Sequence, residues 1–400
     1  MRKGFRIKAP ALVAMIVLLL ILNIGLVNSW LGQFTKYFLP IKIGIILVFS
    51  LLIVWQKNFV SKPFIFALLF CTYLIIRTKV CNGDCIYAIN QLSSCFVLFS
   101  CLEWTRLRQE WKLCLFVWRY ILGIIVLIDF FTMIIFPKGM YATGMYSENW
   151  FLGYKSLRFP YIYALLLISA FLDFSEKKKI TAWTWLFSFV SCIEFLISKS
   201  SGALAGILLL IFGMFLTNQI HGKAKLNKIK SVILDYRFYL PLYCAIAALV
   251  VVVQQSKFIL YIVENIFHKD PTLTTRTQAW SLFIQSIKTN LWMGKGYLGK
   301  ETYQLLSGNF YVTSAHNMAL SLLMTGGIIG ACLYLAILIS SISGNVIETK
   351  AKEICVWGIL SLLLVGLTSS AFVFSQFCFL PYGLLTLVST HKEKKNERIY

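Results

Sequence analysis

His316 and Asn317 stand side by side at the head of an apolar run, with Gly327 and Gly330 inside that run and Arg276 in the long polar stretch before it. An imidazole that is neutral near pH 7 can take a proton from a hydroxyl, and a guanidinium can grip a phosphate through paired N–H donors. Three more cations lie between apolar runs: Lys199 in Ser198-Lys199-Ser200, and Lys155 and Arg158 just after Asn149-Trp150-Phe151-Leu152-Gly153-Tyr154. Each has a plain alternative. A histidine at a water–lipid boundary is commonly an interfacial polar residue, and a cation at the end of a span commonly anchors it.

The elements that must position these residues are membrane spans. Of 400 residues, 58% are hydrophobic and 14% charged, and mean hydropathy is +0.76, which is more apolar surface than a soluble domain can bury. The reading is an all-α, polytopic integral membrane protein forming one domain over residues 1–400. About twelve transmembrane helices are expected, near 11–30, 38–55, 63–80, 86–102, 113–136, 159–174, 180–197, 201–217, 238–255, 316–340, 354–374 and 377–390. The first run follows a basic segment like a signal peptide's but is too long and lacks a small-residue cleavage site, so it reads as a retained span. One long extracytoplasmic loop, about 255–315, joins the ninth and tenth spans.

Charge sets the orientation. The net charge of +22 would suggest nucleic acid in a soluble protein. Here, with the amino terminus inside, alternate loops are all basic, from Arg2 and Lys3 through Lys177–Lys179 to Lys392–Arg398, as the positive-inside rule requires. Both termini are therefore expected in the cytoplasm, and the cations are assigned to lipid headgroups rather than to nucleic acid. Segment 137–158, the turn at Lys199 and the long loop fall outside. Most of the 11 cysteines lie in apolar runs as small hydrophobes. Cys81 and Cys85 are placed to bridge if their loop is extracytoplasmic, and no zinc site is expected because the short cysteine spacings lack nearby histidines.

Within the long loop, Trp280, Phe283, Ile284 and Ile287 fall at i, i+3, i+4 and i+7, which predicts a helix lying with one apolar face on the membrane surface. Thr275 is its expected N-cap and Arg276 its first turn. A cation there opposes the helix dipole by about 0.3–1 kcal/mol, a sign that a bound anion would reverse. A solvated arginine accounts for the same residue. Gly294-Lys295-Gly296-Tyr297-Leu298-Gly299 spells G-x-G-x-x-G, but no strand precedes it and no βαβ unit surrounds it, so it reads as a tight turn and not a dinucleotide site. Arg119, Asp129 and Glu194 lie inside spans, where a charge needs a partner or a cavity. Trp150, Tyr297, Tyr303 and Tyr311 could stack on sugars or sit in an interfacial belt.

The string His316-Asn317-x9-Gly327-x-x-Gly330, preceded in order by Arg276-x3-Trp280 and Asn290-Leu291-x2-Gly294-x-Gly296, resembles the signature of the O-antigen ligase and Wzy-type polymerase superfamily. The resemblance implies an inverting glycosyltransferase that uses polyprenyl-diphosphate-linked saccharides at the outer face of the cytoplasmic membrane, without metal, nucleotide sugar or other cofactor. It assigns His316 as general base and Arg276 as the contact stabilising charge on the diphosphate. Lys199 stands where the superfamily usually has arginine, and is carried over as a diphosphate contact without bidentate geometry. Asn317, Arg158 and, below them, Lys155 complete the expected substrate-binding set. Implied partners are the lipid-linked oligosaccharide, membrane lipids, and the flippase and chain-length regulator of the same pathway. A repeat-unit polymerase for capsule, exopolysaccharide or O-antigen is favoured. A ligase, or a lipid-linked oligosaccharide flippase, remains the alternative.

Overall fold

The computed structural model describes residues 9–397 other than 23, 57–58, 144–145, 220–229, 254–271, 310–311, 313, 343–348 and 370–374. Five helices come first: α1 (Ala9–Ile21), α2 (Gly25–Trp55), α3 (Lys62–Val80), α4 (Cys85–Leu107) and α5 (Trp111–Ile135). A small antiparallel sheet follows, β1 (Tyr141–Thr143), β2 (Tyr146–Trp150) and β3 (Gly153–Tyr154), with Tyr141 opposite Asn149 and Trp150 opposite Gly153. A 3-10 turn at Lys155–Arg158 then leads into α6 (Phe159–Glu176), α7 (Ala182–Ile197), α8 (Ser201–Gln219) and α9 (Tyr236–Val253). The last part of the chain holds α10 (Thr272–Lys288), α11 (Lys300–Ser307), α12 (Met318–Ile342), α13 (Lys350–Gly366) and α14 (Leu380–Glu397).

The helical membrane architecture is present, with corrections to its detail. Among the described residues, seven helices are long and apolar enough to cross a membrane, and Ala9–Ile21, Ala182–Ile197 and Tyr236–Val250 are shorter apolar helices. The expectation of twelve spans rests on apolar runs, and hydropathy does not sense where a helix breaks. The first run ends as helix at Ile21, and α2 begins at Gly25 and continues unbroken through the predicted gap before residue 38. Segment 137–158 carries the sheet, because Thr, Tyr and Trp side chains flanked by glycine favour extended pairing. The long loop's described part is largely helical, and its residues 254–271 lie outside the described set.

The bundle is organised around α6, whose residues from Phe159 to Phe174 are all buried. A helix with no polar face has to be surrounded. On one side α8 crosses α13 closely: a Cβ on Gly206 would run into Val365, one on Gly213 would run into Trp357, and Ser361 donates to the Gly206 carbonyl at 2.7 Å. Small residues let two helix backbones approach where hydrophobic attraction is weak. Of the intramembrane charges, Arg119 and Asp129 find ion-pair partners. Arg119 bonds Asp173 at 3.1 Å, which also accepts from Thr181 and Thr184. Glu103 takes Arg106 and the Ser61 backbone, fixing the entry to α3. Cys81 and Cys85 are free thiols, and Asp84 between them caps α4 by accepting from Tyr87 N.

Candidate functional site

His316 sits at the amino-terminal end of α12 with φ of 48°, a left-handed conformation that non-glycine residues rarely adopt. Both neighbours are fixed. The carbonyl of buried Ala315 accepts from the Trp280 indole at 2.7 Å. Fully buried Asn317 caps α12 by accepting from Leu320 N at 3.1 Å, and donates to the Leu367 carbonyl just past α13 at 3.2 Å. With both flanks tied, the local strain is held in place and the half-buried imidazole takes a defined direction. Asn317, expected as a substrate contact, spends both ends of its amide on positioning.

Trp280 belongs to α10, whose apolar face is real but packs on protein rather than on lipid. Ala279, Trp280, Phe283 and Ile287 form a cluster with Tyr303, Val312, Ala315, Leu320 and Met324. Burial pushes the Tyr303 phenol up to about 12, a shift the Ser321 hydroxyl partly offsets. The described helix starts at Thr272, so Thr275 lies inside it and is not its cap. Arg276 is one turn before Trp280 on the same helical face, and its side chain lies outside the described set. Helical geometry thus puts position 276 about 6 Å along the axis from the residue that anchors His316's neighbour.

Lys199 is exposed and also left-handed, with φ of 52°. Its amide bonds the Leu196 carbonyl, and Ser200 N bonds the Phe195 carbonyl, the paired pattern in which a helix usually ends on glycine. The turn meets the end of α13: a Cβ on Gly202 would approach the Thr368 hydroxyl at 2.8 Å, next to the Leu367 that holds Asn317. Lys199, His316 and the backbone position of residue 276, far apart in sequence, therefore fall at one end of the bundle.

Arg158 and Lys155 do not join them in the expected way. Arg158 is fully buried, paired with Asp129 at 3.3 Å, in contact with the Met133 sulfur, donating to the Glu194 carbonyl at 3.4 Å and covered by the rings of Trp150 and Phe195. Asp129 also accepts from Leu152 N at 2.8 Å. The cluster pins the sheet-bearing segment to α5 and to the end of α7, directly beneath the Lys199 turn. Neither carboxylate oxygen of the buried Glu194 has a hydrogen-bond partner among the described residues. Lys155 pairs with Glu148 at 3.3 Å at the surface of the sheet. Trp150, Tyr297 and Tyr303 are buried, with rings facing Arg158, Tyr87 and Phe283. Tyr311 lies outside the described residues.

The glycine turn is built into α12. Gly327 has non-helical backbone, and segment 291–296 enters the break. An unbroken helix would pair Ile328 N with Met324 O and Ile329 N with Thr325 O. Instead, Met324 O and Thr325 O accept from Lys295 N and Gly296 N, and Ile328 N and Ile329 N donate to Leu291 O and Trp292 O. Arg77 and Tyr73 on α3, missed by the sequence reading, hold the turn by donating to the Gly294 and Met293 carbonyls at 2.8 Å each. Lys42, also missed, is buried in α2 and donates to Asn90 and Ser94 at 2.9 Å each. The only sequence signal of Arg77 and Lys42 is a cation within or at the end of an apolar run, and Tyr73 has none.

The class shown is a mainly helical membrane bundle. Residues 185–335 match the Wzy_C family, described as O-antigen ligase. The matched segment runs from α7 into α12 and contains Lys199, Arg276, the glycine turn and the His316-Asn317 pair, so the match falls on the residues that carry the resemblance. No curated protein matches the chain.

Proposed function

We propose that the protein is a Wzy-type repeat-unit polymerase, an inverting glycosyltransferase that joins polyprenyl-diphosphate-linked oligosaccharides at the outer face of the cytoplasmic membrane, with both termini in the cytoplasm. The observation that carries the reading is His316, held left-handed between two anchored neighbours on the same bundle end as Lys199 and position 276. In the reaction, His316 takes the proton of an acceptor sugar hydroxyl, whose oxygen forms a bond to the donor's anomeric carbon as the bond to the diphosphate breaks. Base assistance of this kind is worth roughly 10²–10⁴ in rate. Arg276 and Lys199 neutralise charge on the departing diphosphate, an effect worth about 2.7–4 kcal/mol per well-placed donor. Asn317 positions His316, and Arg158 acts beneath Lys199 by holding α7. The partners are the lipid-linked oligosaccharide and, in the same pathway, its flippase and chain-length regulator.

A ligase that passes finished glycan to another acceptor is favoured by the description of the matching family. The test incubates purified protein with a synthetic polyprenyl-diphosphate repeat unit. An oligomer ladder that His316→Ala abolishes supports the polymerase. Transfer only to a separate acceptor supports the ligase, and no transfer to any acceptor removes both in favour of a transporter.

A further inference from the structure

The glycine turn that completes α12 presents three consecutive apolar side chains outward: Leu291, Trp292 and Met293 are 41%, 66% and 50% exposed, whereas Gly294, Gly296 and Tyr297 behind them are buried. Its neighbours are membrane spans. The turn packs on Tyr73, Arg77 and Thr78 of α3, whose neighbouring Leu69, Ile76 and Val80 are exposed, and beside exposed Ile329 of α12. Tyr73, which bonds the Met293 carbonyl, is seven residues before the end of α3, so the turn reaches about 10 Å below that end. Irregular backbone at membrane depth is tolerated where it is buried in protein, as it is at Gly294, Gly296 and Tyr297 between α3 and α12. The turn takes over the four backbone groups freed at the helix break, its own Met293 and Gly294 carbonyls accept from Tyr73 and Arg77, and Tyr297 N donates to the Thr78 hydroxyl.

We infer that residues 290–297 form a re-entrant segment seated in the membrane leaflet at the His316 end, with Leu291, Trp292 and Met293 against phospholipid acyl chains. The occupant follows from continuity, because the apolar tip stands beside the exposed apolar residues Leu69, Ile76 and Val80 of α3 and Ile329 of α12. Asn290 and Lys295 mark where the chain enters and leaves. The segment thereby fixes the height of α10, and with it Arg276, above the leaflet. The inference stands whether or not the transfer reaction does.

The test places a photoreactive benzoylphenylalanine at position 292 of the full chain in native membranes, with position 76 on α3 as the lipid-facing reference and exposed position 301 on α11 as the water-facing one. After irradiation, adducts are identified by mass spectrometry. Phospholipid adducts at 292 comparable to those at 76, and absent at 301, are expected. A position 292 that behaves like 301, or that cross-links to protein, overturns the inference.

Discussion

A Cβ on Gly294 would lie 2.5 Å from the backbone nitrogen of Gly327, and a Cβ on Gly327 would lie 2.5 Å from the nitrogen of Gly294. Both residues have positive φ, 69° and 61°. The second glycine belongs to the His-Asn signature and the first to the turn before it, so the two motif halves meet as touching backbones.

Alanine at either position is therefore expected to be severe. Left-handed backbone costs a non-glycine residue roughly 1–2 kcal/mol, and the clash with immovable backbone adds to it. Gly294→Ala and Gly327→Ala should each lower the thermal unfolding midpoint in detergent by several degrees or prevent recovery of folded protein. Gly299→Ala, with open space around it and ordinary φ, should unfold within a degree or two of the parent. Equal behaviour of all three would contradict the close approach.

Asn317 separates capping from positioning. Asn317→Asp keeps the acceptor for Leu320 N but loses the donor to Leu367. Asn317→Ala loses both, and a missing cap costs about 0.5–2 kcal/mol. The expected pattern is a turnover drop of ~10-fold or more for both variants, with reduced stability in the alanine variant from the lost cap and in the aspartate variant from a buried carboxylate facing the Leu367 carbonyl, so that only the aspartate variant regains stability when the pH is lowered to protonate it.

Arg158 and Lys199 should differ in kind. Removing one partner of a buried ion pair costs about 3–5 kcal/mol because the other charge is stranded. Arg158→Ala should unfold markedly earlier, and Asp129→Asn should do the same. Lys199→Ala should retain the parental unfolding midpoint and lose transfer activity. Lys199→Gly should gain up to about 1 kcal/mol by relieving the left-handed turn, again without restoring activity.

Tyr303 gives an alkaline signature. Its phenol is raised to about 12 by burial, above the usual tyrosine range. The folded state then holds its proton more tightly than the unfolded chain, so this contribution is complete below pH 10 and is lost as pH rises through about 12. Unfolding midpoints measured between pH 8 and 12 should fall less steeply for Tyr303→Phe than for the parent. Identical slopes would place the phenol in contact with water.

Much of the candidate site was readable because its residues are marked by type and order. His316, Asn317, Arg276 and the glycine spacing lie within 60 residues of one another in sequence, and each demands a particular side chain or its absence. Arg158 was readable as a cation but not as a buried one. Its fate depends on Asp129, 29 residues away, and on ring faces from Trp150 and Phe195.

The sequence by itself determined that the chain is a helical membrane protein, because apolar runs of span length leave hydrocarbon as their solvent. It also determined which residues could carry proton and phosphate chemistry. Tertiary structure alone decided where helices break and which cations pair internally. The break in α12 shows why: a helix gives up its own hydrogen bonds only when another backbone supplies them, and that partner comes from a segment whose local sequence reads as a plain turn.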